Sequence, residues 1–151
     1  MSANPFDFRT IVLAKHAQHV VLIHFPIALF IAGAAFDFMA LWTKRRAWAD
    51  AAYCNLSLAA ISAVPVIATG VLAWQFALEG QKLQGILLLH LILGCGSAAI
   101  IWMVWWIHLG ARHRELEPPI YRVAIELLGV VLISLTGHLG GLLSGINGPG
   151  H

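Results

Sequence analysis

The chain has 151 residues, 60% of them apolar and 11% charged, with a formal net charge of +2. A water-soluble domain of this length is closer to half apolar and a quarter charged, so the excess must face lipid, and a freely soluble globular protein is excluded. The small net charge gives no footing for nucleic acid.

No stretch is polar enough for a second domain, so residues 1–151 read as one transmembrane domain. Met1 to Thr10 holds a single basic residue, Arg9, and no small-residue cleavage site follows a short apolar core. The first apolar segment is therefore expected to remain as a helix rather than leave as a signal. Asn4-Pro5-Phe6-Asp7 reads as a helix start, and the stretch to about His16 suits a short helix lying on the membrane surface. A plain extension of the first span is the alternative.

Four spans follow, at about 20–42, 51–78, 83–108 and 120–143, each close to the roughly 20 residues that cross a bilayer. The expected fold is an all-α membrane protein, a four-helix up-down-up-down bundle. Lys44, Arg45, Arg46, Arg112, Arg114 and Arg122 lie at one end, against Arg9, Lys15 and Lys82 at the other. Such a bias places both termini outside, on the periplasmic side of a bacterial inner membrane. Cys54 and Cys95 fall in different apolar runs and make no disulfide framework.

Among the eight histidines, His24, His90 and His138 stand inside three different spans. They are read as sharing one depth, roughly 6–10 Å below the outer boundary. An ionisable side chain within a span is costly and marks a site more often than an accident. His16 and His19 lie at or just above the same boundary, and His108 and His113 flank the inner end of span three. Glycines accompany the candidates, in Gly85-x4-His90-x3-Gly94-x-Gly96 and in Gly137-His138-Leu139-Gly140-Gly141. They clear room for a flat ligand or for close helix packing. Pro26, two residues after His24, frees a carbonyl and can bend the helix there.

Haem b fits such a site, because it needs axial imidazoles, a flat slot and an apolar wall. Spans one and three are diagonal in an up-down ring, which makes His24 and His90 the preferred axial pair. His138 is then a substitute ligand, a propionate partner, or half of a second haem site with His19. A bare zinc or copper ion is the alternative, although no carboxylate or thiol stands at that depth to complete its shell. Purely structural histidines are the third reading. Trp42, Trp48, Trp102, Trp105 and Trp106 gather towards the inner face as an aromatic belt. Glu126 is expected to pair with Arg122 one turn earlier, and Asp37 to reach a basic loop residue or mark a proton or quinone path.

His19-x4-His24-Phe25-Pro26-Ile27-Ala28-Leu29, Pro65-x3-Thr69-Gly70-x3-Trp74, His90 and Gly137-His138-Leu139-Gly140-Gly141 together resemble a bacterial family of four-span membrane proteins, known only as a transmembrane domain of unknown function. The resemblance covers nearly the whole chain. Val20 stands where the family usually has proline, and Ala73 where an acid often precedes the tryptophan. Members are similar to modules joined to Rieske iron–sulfur or c-type cytochrome domains. That company implies membrane redox work with haem b, one or two per chain. It also implies exchange with quinone, and a separate extracytoplasmic redox protein or other subunits of a respiratory-type complex as partners.

Overall fold

The computed structural model describes residues 15–77, 80 and 82–144, with side chains for residues 18–76, 80 and 82–144. Five α-helices follow in order: α1 (Lys15–Leu22), α2 (His24–Thr43), α3 (Arg46–Leu72), α4 (Gly85–His113) and α5 (Arg122–Leu143). α1 and α2 run on as one rod, because Ile23 between them keeps right-handed helical torsions. Four rods, Gln18–Thr43, Arg46–Phe76, Gly85–His113 and Arg122–Leu143, are each long and apolar enough to cross a membrane. The surface helix expected over residues 4–16 lies almost wholly outside the described residues.

The ends explain themselves locally. Lys44 turns left-handed at φ 56° and returns its N–H to the Ala40 carbonyl, and Arg45 is extended, so α3 starts within two residues of the end of α2. Span two therefore begins at Arg46, five residues earlier than its apolar run suggests, since a helix end at the interface tolerates charge. α3 loosens into a π-helical turn at Ala73–Ala77, and Gly80 at φ 62° donates to the Trp74 carbonyl. Pro118-Pro119 stops any continuation beyond α4, whose last residues are closed by Leu116 N–H donating to Ala111.

The rods pack as a ring in which α2 touches α3 and α5, and α4 touches the same two. α2 and α4 are thus diagonal. The core is Phe30, Leu56, Ala59, Ala60, Ile100, Ile101, Val104 and Ile133. In lipid, helices gain little from hiding apolar surface from one another, so close van der Waals packing decides which faces meet. Gly33 admits the Leu56 side chain, and Gly129 admits the Phe30 ring together with Ile100: a Cβ at Gly129 would stand 2.7 Å from Phe30 Cζ. Phe25, Phe38, Trp42, Ile61, Ile92, Trp106 and Leu127 are exposed on the outside of the ring, where lipid meets them. Trp102 is not simply a belt residue, because its Nε1–H donates to the Ala60 carbonyl across the bundle.

The inward faces follow one register. On the first rod, Pro26, Phe30, Gly33 and Asp37 are buried. They stand seven, eleven, fourteen and eighteen residues after His19. On α4, Ser97, Ile101, Val104 and His108 are buried at the same four offsets from His90. On α3, Ala52, Leu56, Ala59 and Ala63 precede Gly70 by eighteen, fourteen, eleven and seven. On α5, Arg122, Glu126, Gly129 and Ile133 precede Gly140 by the same steps. At 3.6 residues per turn all these offsets fall on one helix face. The bundle is therefore two helical hairpins with a common inward pattern: a histidine on the first rod of each faces a glycine on the second.

Candidate functional site

Two polar layers close the two ends of this core. At the end carrying the chain termini, His19 lies against Gly70, its Cε1 3.0 Å from where a Cβ would stand, and His90 lies against Gly140 in the same way at 3.3 Å. Both rings are anchored through Nδ1. His90 Nδ1 is 3.1 Å from the Thr136 carbonyl oxygen. A carbonyl only accepts, so Nδ1 carries the proton and Nε2 bears the lone pair. His19 Nδ1 is 3.2 Å from Thr69 Oγ1. That hydroxyl donates to the Pro65 and Val66 carbonyls, so it accepts from His19. Thr136 repeats the device, with its own hydroxyl donating to Leu132 while accepting from Ser97. A proton fixed on Nδ1 by a neighbouring oxygen is the arrangement that orients a metal-ligating imidazole.

His24 and His138 are placed differently. Both side chains are exposed. His24 is about 180–240° around its helix from Pro26, Phe30 and Gly33, and His138 is about 120–180° around from the buried face of α5. His19 and His90 each stand eighteen residues, about 27 Å of helix, from the opposite polar layer. His138 is level with His90, whose ring meets Thr136 and Gly140 on either side of it, whereas His24 stands five residues, about 7.5 Å of helix, further in than His19. The structure thus places His19 and His90 at one level on the inward faces of diagonal rods. His24 and His138 lie on outer faces. The side chain of His16 lies outside the described residues. Of the glycines, only Gly140 touches a histidine of its set; Gly94 meets Thr136 and Gly137 meets Ile27 at ordinary van der Waals distance.

Among the described residues, Ala73 is the buried one nearest the histidine level, and the others begin about two turns further in. A groove of about 530 Å³ opens between the start of α4 and the end of α5, lined by Lys82, Gln84, Ile86, Leu87 and Leu143. Ile86 and Leu87 are one turn before His90 on the same side of α4.

The opposite layer is closed and charged. Arg122 grips Asp37 with two hydrogen bonds, Nε to Oδ2 at 2.8 Å and Nη2 to Oδ1 at 3.1 Å. Its third nitrogen, Nη1, donates to the Pro118 and Pro119 carbonyls. His108 Nε2 and Glu126 Oε1 are 3.0 Å apart. All four side chains are at most 5% exposed. Glu126 therefore pairs with His108 and not with Arg122, because the Arg122 fork is already committed to Asp37. Asp37 does reach a basic residue, and that residue opens α5. His108, which the sequence places at the inner end of span three, is a buried member of this layer. The available signal was its eighteen-residue spacing from His90.

A family described as predicted membrane proteins (DUF2231) matches residues 15–148. No curated protein and no solved structure shows a significant match to the chain. The family match spans all four membrane-crossing rods and both polar layers. The chain belongs to that family.

Proposed function

We propose that this protein is a b-type cytochrome subunit that holds haem b between the two hairpins, at the end carrying the termini. The observation that carries the reading is the pair of imidazoles at one level, each fixed through Nδ1 to the partner rod of its hairpin. His90, through Nε2, and His19 would hold the haem iron. This pairing replaces His24 with His19, because only His19 shares the inward face of Phe30. Gly70 and Gly140 let each ring lie flat against the neighbouring backbone. The groove one turn from His90, at about 530 Å³, lies within the ~300–1,000 Å³ span of ordinary ligand clefts. Lys82 at its rim suits a propionate. When bound, haem supplies one-electron transfer; the chain sets its potential through ligation, burial and these hydrogen bonds.

The unequal basic charge orients the bundle. Lys44, Arg45, Arg46 and Arg114 stay exposed at the end away from the histidines. That bias supports a cytoplasmic position for the charged end, in a bacterial inner membrane, with the haem near the outer surface. A shallow haem suits exchange with a separate extracytoplasmic redox protein, with other subunits of a respiratory-type complex, or with quinone. A reduced-minus-oxidised absorption spectrum of the protein expressed with ample haem tests the reading. Sharp b-type bands at one haem per chain are expected. Copper or zinc in place of iron, or a featureless spectrum from folded protein, would overturn it.

A further inference from the structure

The haem reading leaves the second polar layer unused. We propose that Asp37, His108 and Glu126 form a separate binding site for one divalent transition-metal ion. Their donor atoms come from three different rods, are buried, and all lie within 4.8 Å of one another. Beside Arg122, the fully buried Ala52 and Leu56 of α3 stand at the facing positions of the register.

Geometry, charge and second-layer support point the same way. Two donors held about 2.1 Å from a tetrahedral ion are about 3.4 Å from each other. His108 Nε2 and Glu126 Oε1, 3.0 Å apart as a hydrogen-bonded pair, need to open by only a few tenths of an ångström. With Arg122 counted, the two carboxylates and a neutral imidazole leave this layer one net negative charge, so a divalent ion would share Asp37 with Arg122; buried charges persist where they are paired or coordinate a metal. Each carboxylate oxygen has two lone pairs, so Asp37 can stay in the Arg122 fork and still ligate. Arg122, itself tied to the Pro118 and Pro119 carbonyls, would then orient the ligand from behind, as outer partners do in metal sites. One imidazole with two carboxylates suits zinc, iron(II) or manganese(II) better than soft copper(I). Binding replaces the hydrogen bond between His108 and Glu126 with two coordinate bonds, from Nε2 and Oε1, with the proton of the neutral imidazole carried on Nδ1.

The site is about 27 Å of helix from the histidine level, so the two proposals stand or fall separately. The competing account is a closed set of ion pairs that takes no metal. The experiment uses the full chain in lipid nanodiscs, stripped with chelator and titrated with zinc alone by calorimetry. Manganese is then followed by paramagnetic resonance. Folding is checked by circular dichroism. One saturable equivalent is expected, at least 100-fold weaker in Glu126→Gln and His108→Ala and unchanged in the His24→Ala, His138→Ala double variant. Arg122→Lys should bind 10–100-fold more weakly, the range for outer-layer partners. No saturable binding by folded wild type would overturn the proposal. So would binding that survives Glu126→Gln intact, or binding that disappears in the His24, His138 variant. Glu126→Gln keeps the side chain's shape, so the test holds even where His108→Ala does not fold.

Discussion

At the scale of single residues, the sharpest contrast is between charges that are satisfied and charges that would be orphaned. Asp37→Asn leaves Arg122 buried with a neutral partner. A broken buried ion pair costs about 3–5 kcal/mol, so a marked loss in thermal stability is expected. Replacing both residues together with Leu and Met should recover most of it, because no charge is then left uncompensated; unfolding followed by circular dichroism in detergent checks both variants. Glycines offer a second contrast. Gly129→Ala forces a Cβ into Phe30 and Ile100, and overpacking of this kind costs about 1–3 kcal/mol. Gly96→Ala meets no atom within 4 Å, so the gain in helix propensity, up to about 1 kcal/mol, is expected to appear uncancelled. If the two variants melt alike, the register of the first and last rods is misassigned.

At the scale of elements, the spans were plain in the sequence because length and hydropathy alone announce a membrane helix. Their inward faces were not. A soluble helix shows its core as an apolar stripe against polar neighbours, whereas these rods are apolar on every side and give no such contrast. His24 therefore looked as eligible as His19. The distinction lies in phase: His19 is in step with Phe30 and Asp37, and His24 is half a turn out. The repeat between hairpins was hidden for a similar reason, since it is carried by offsets between unlike residues and not by a shared string. Glu126 does not pair with its helical neighbour Arg122 because Asp37 arrives from another rod and takes the guanidinium. The turn after α2 yields its own prediction. Lys44 holds a left-handed conformation that L side chains resist, so Lys44→Gly should be neutral or stabilising by up to about 1 kcal/mol. Lys44→Val should destabilise, because a branched Cβ fits that region worst. Melting temperatures of the two variants, measured side by side, decide it.

At the scale of the whole molecule, the described buried residues gather at the middle of the bundle and at its charged end, and the repeated hairpin carries one inward register from there to the two anchored imidazoles. Gly70→Leu or Gly140→Leu should push His19 or His90 off its anchor and alter the spectrum of a bound haem while leaving every histidine in the chain. The central claim is that His19 and His90 are the pair that binds. Reduced-minus-oxidised spectra of four single alanine variants, at matched protein and haem, test it most directly. The account predicts that b-type bands collapse in His19→Ala and His90→Ala and persist in His24→Ala and His138→Ala. Bands that survive the loss of His90, or vanish with His24 while His19→Ala keeps them, would contradict it.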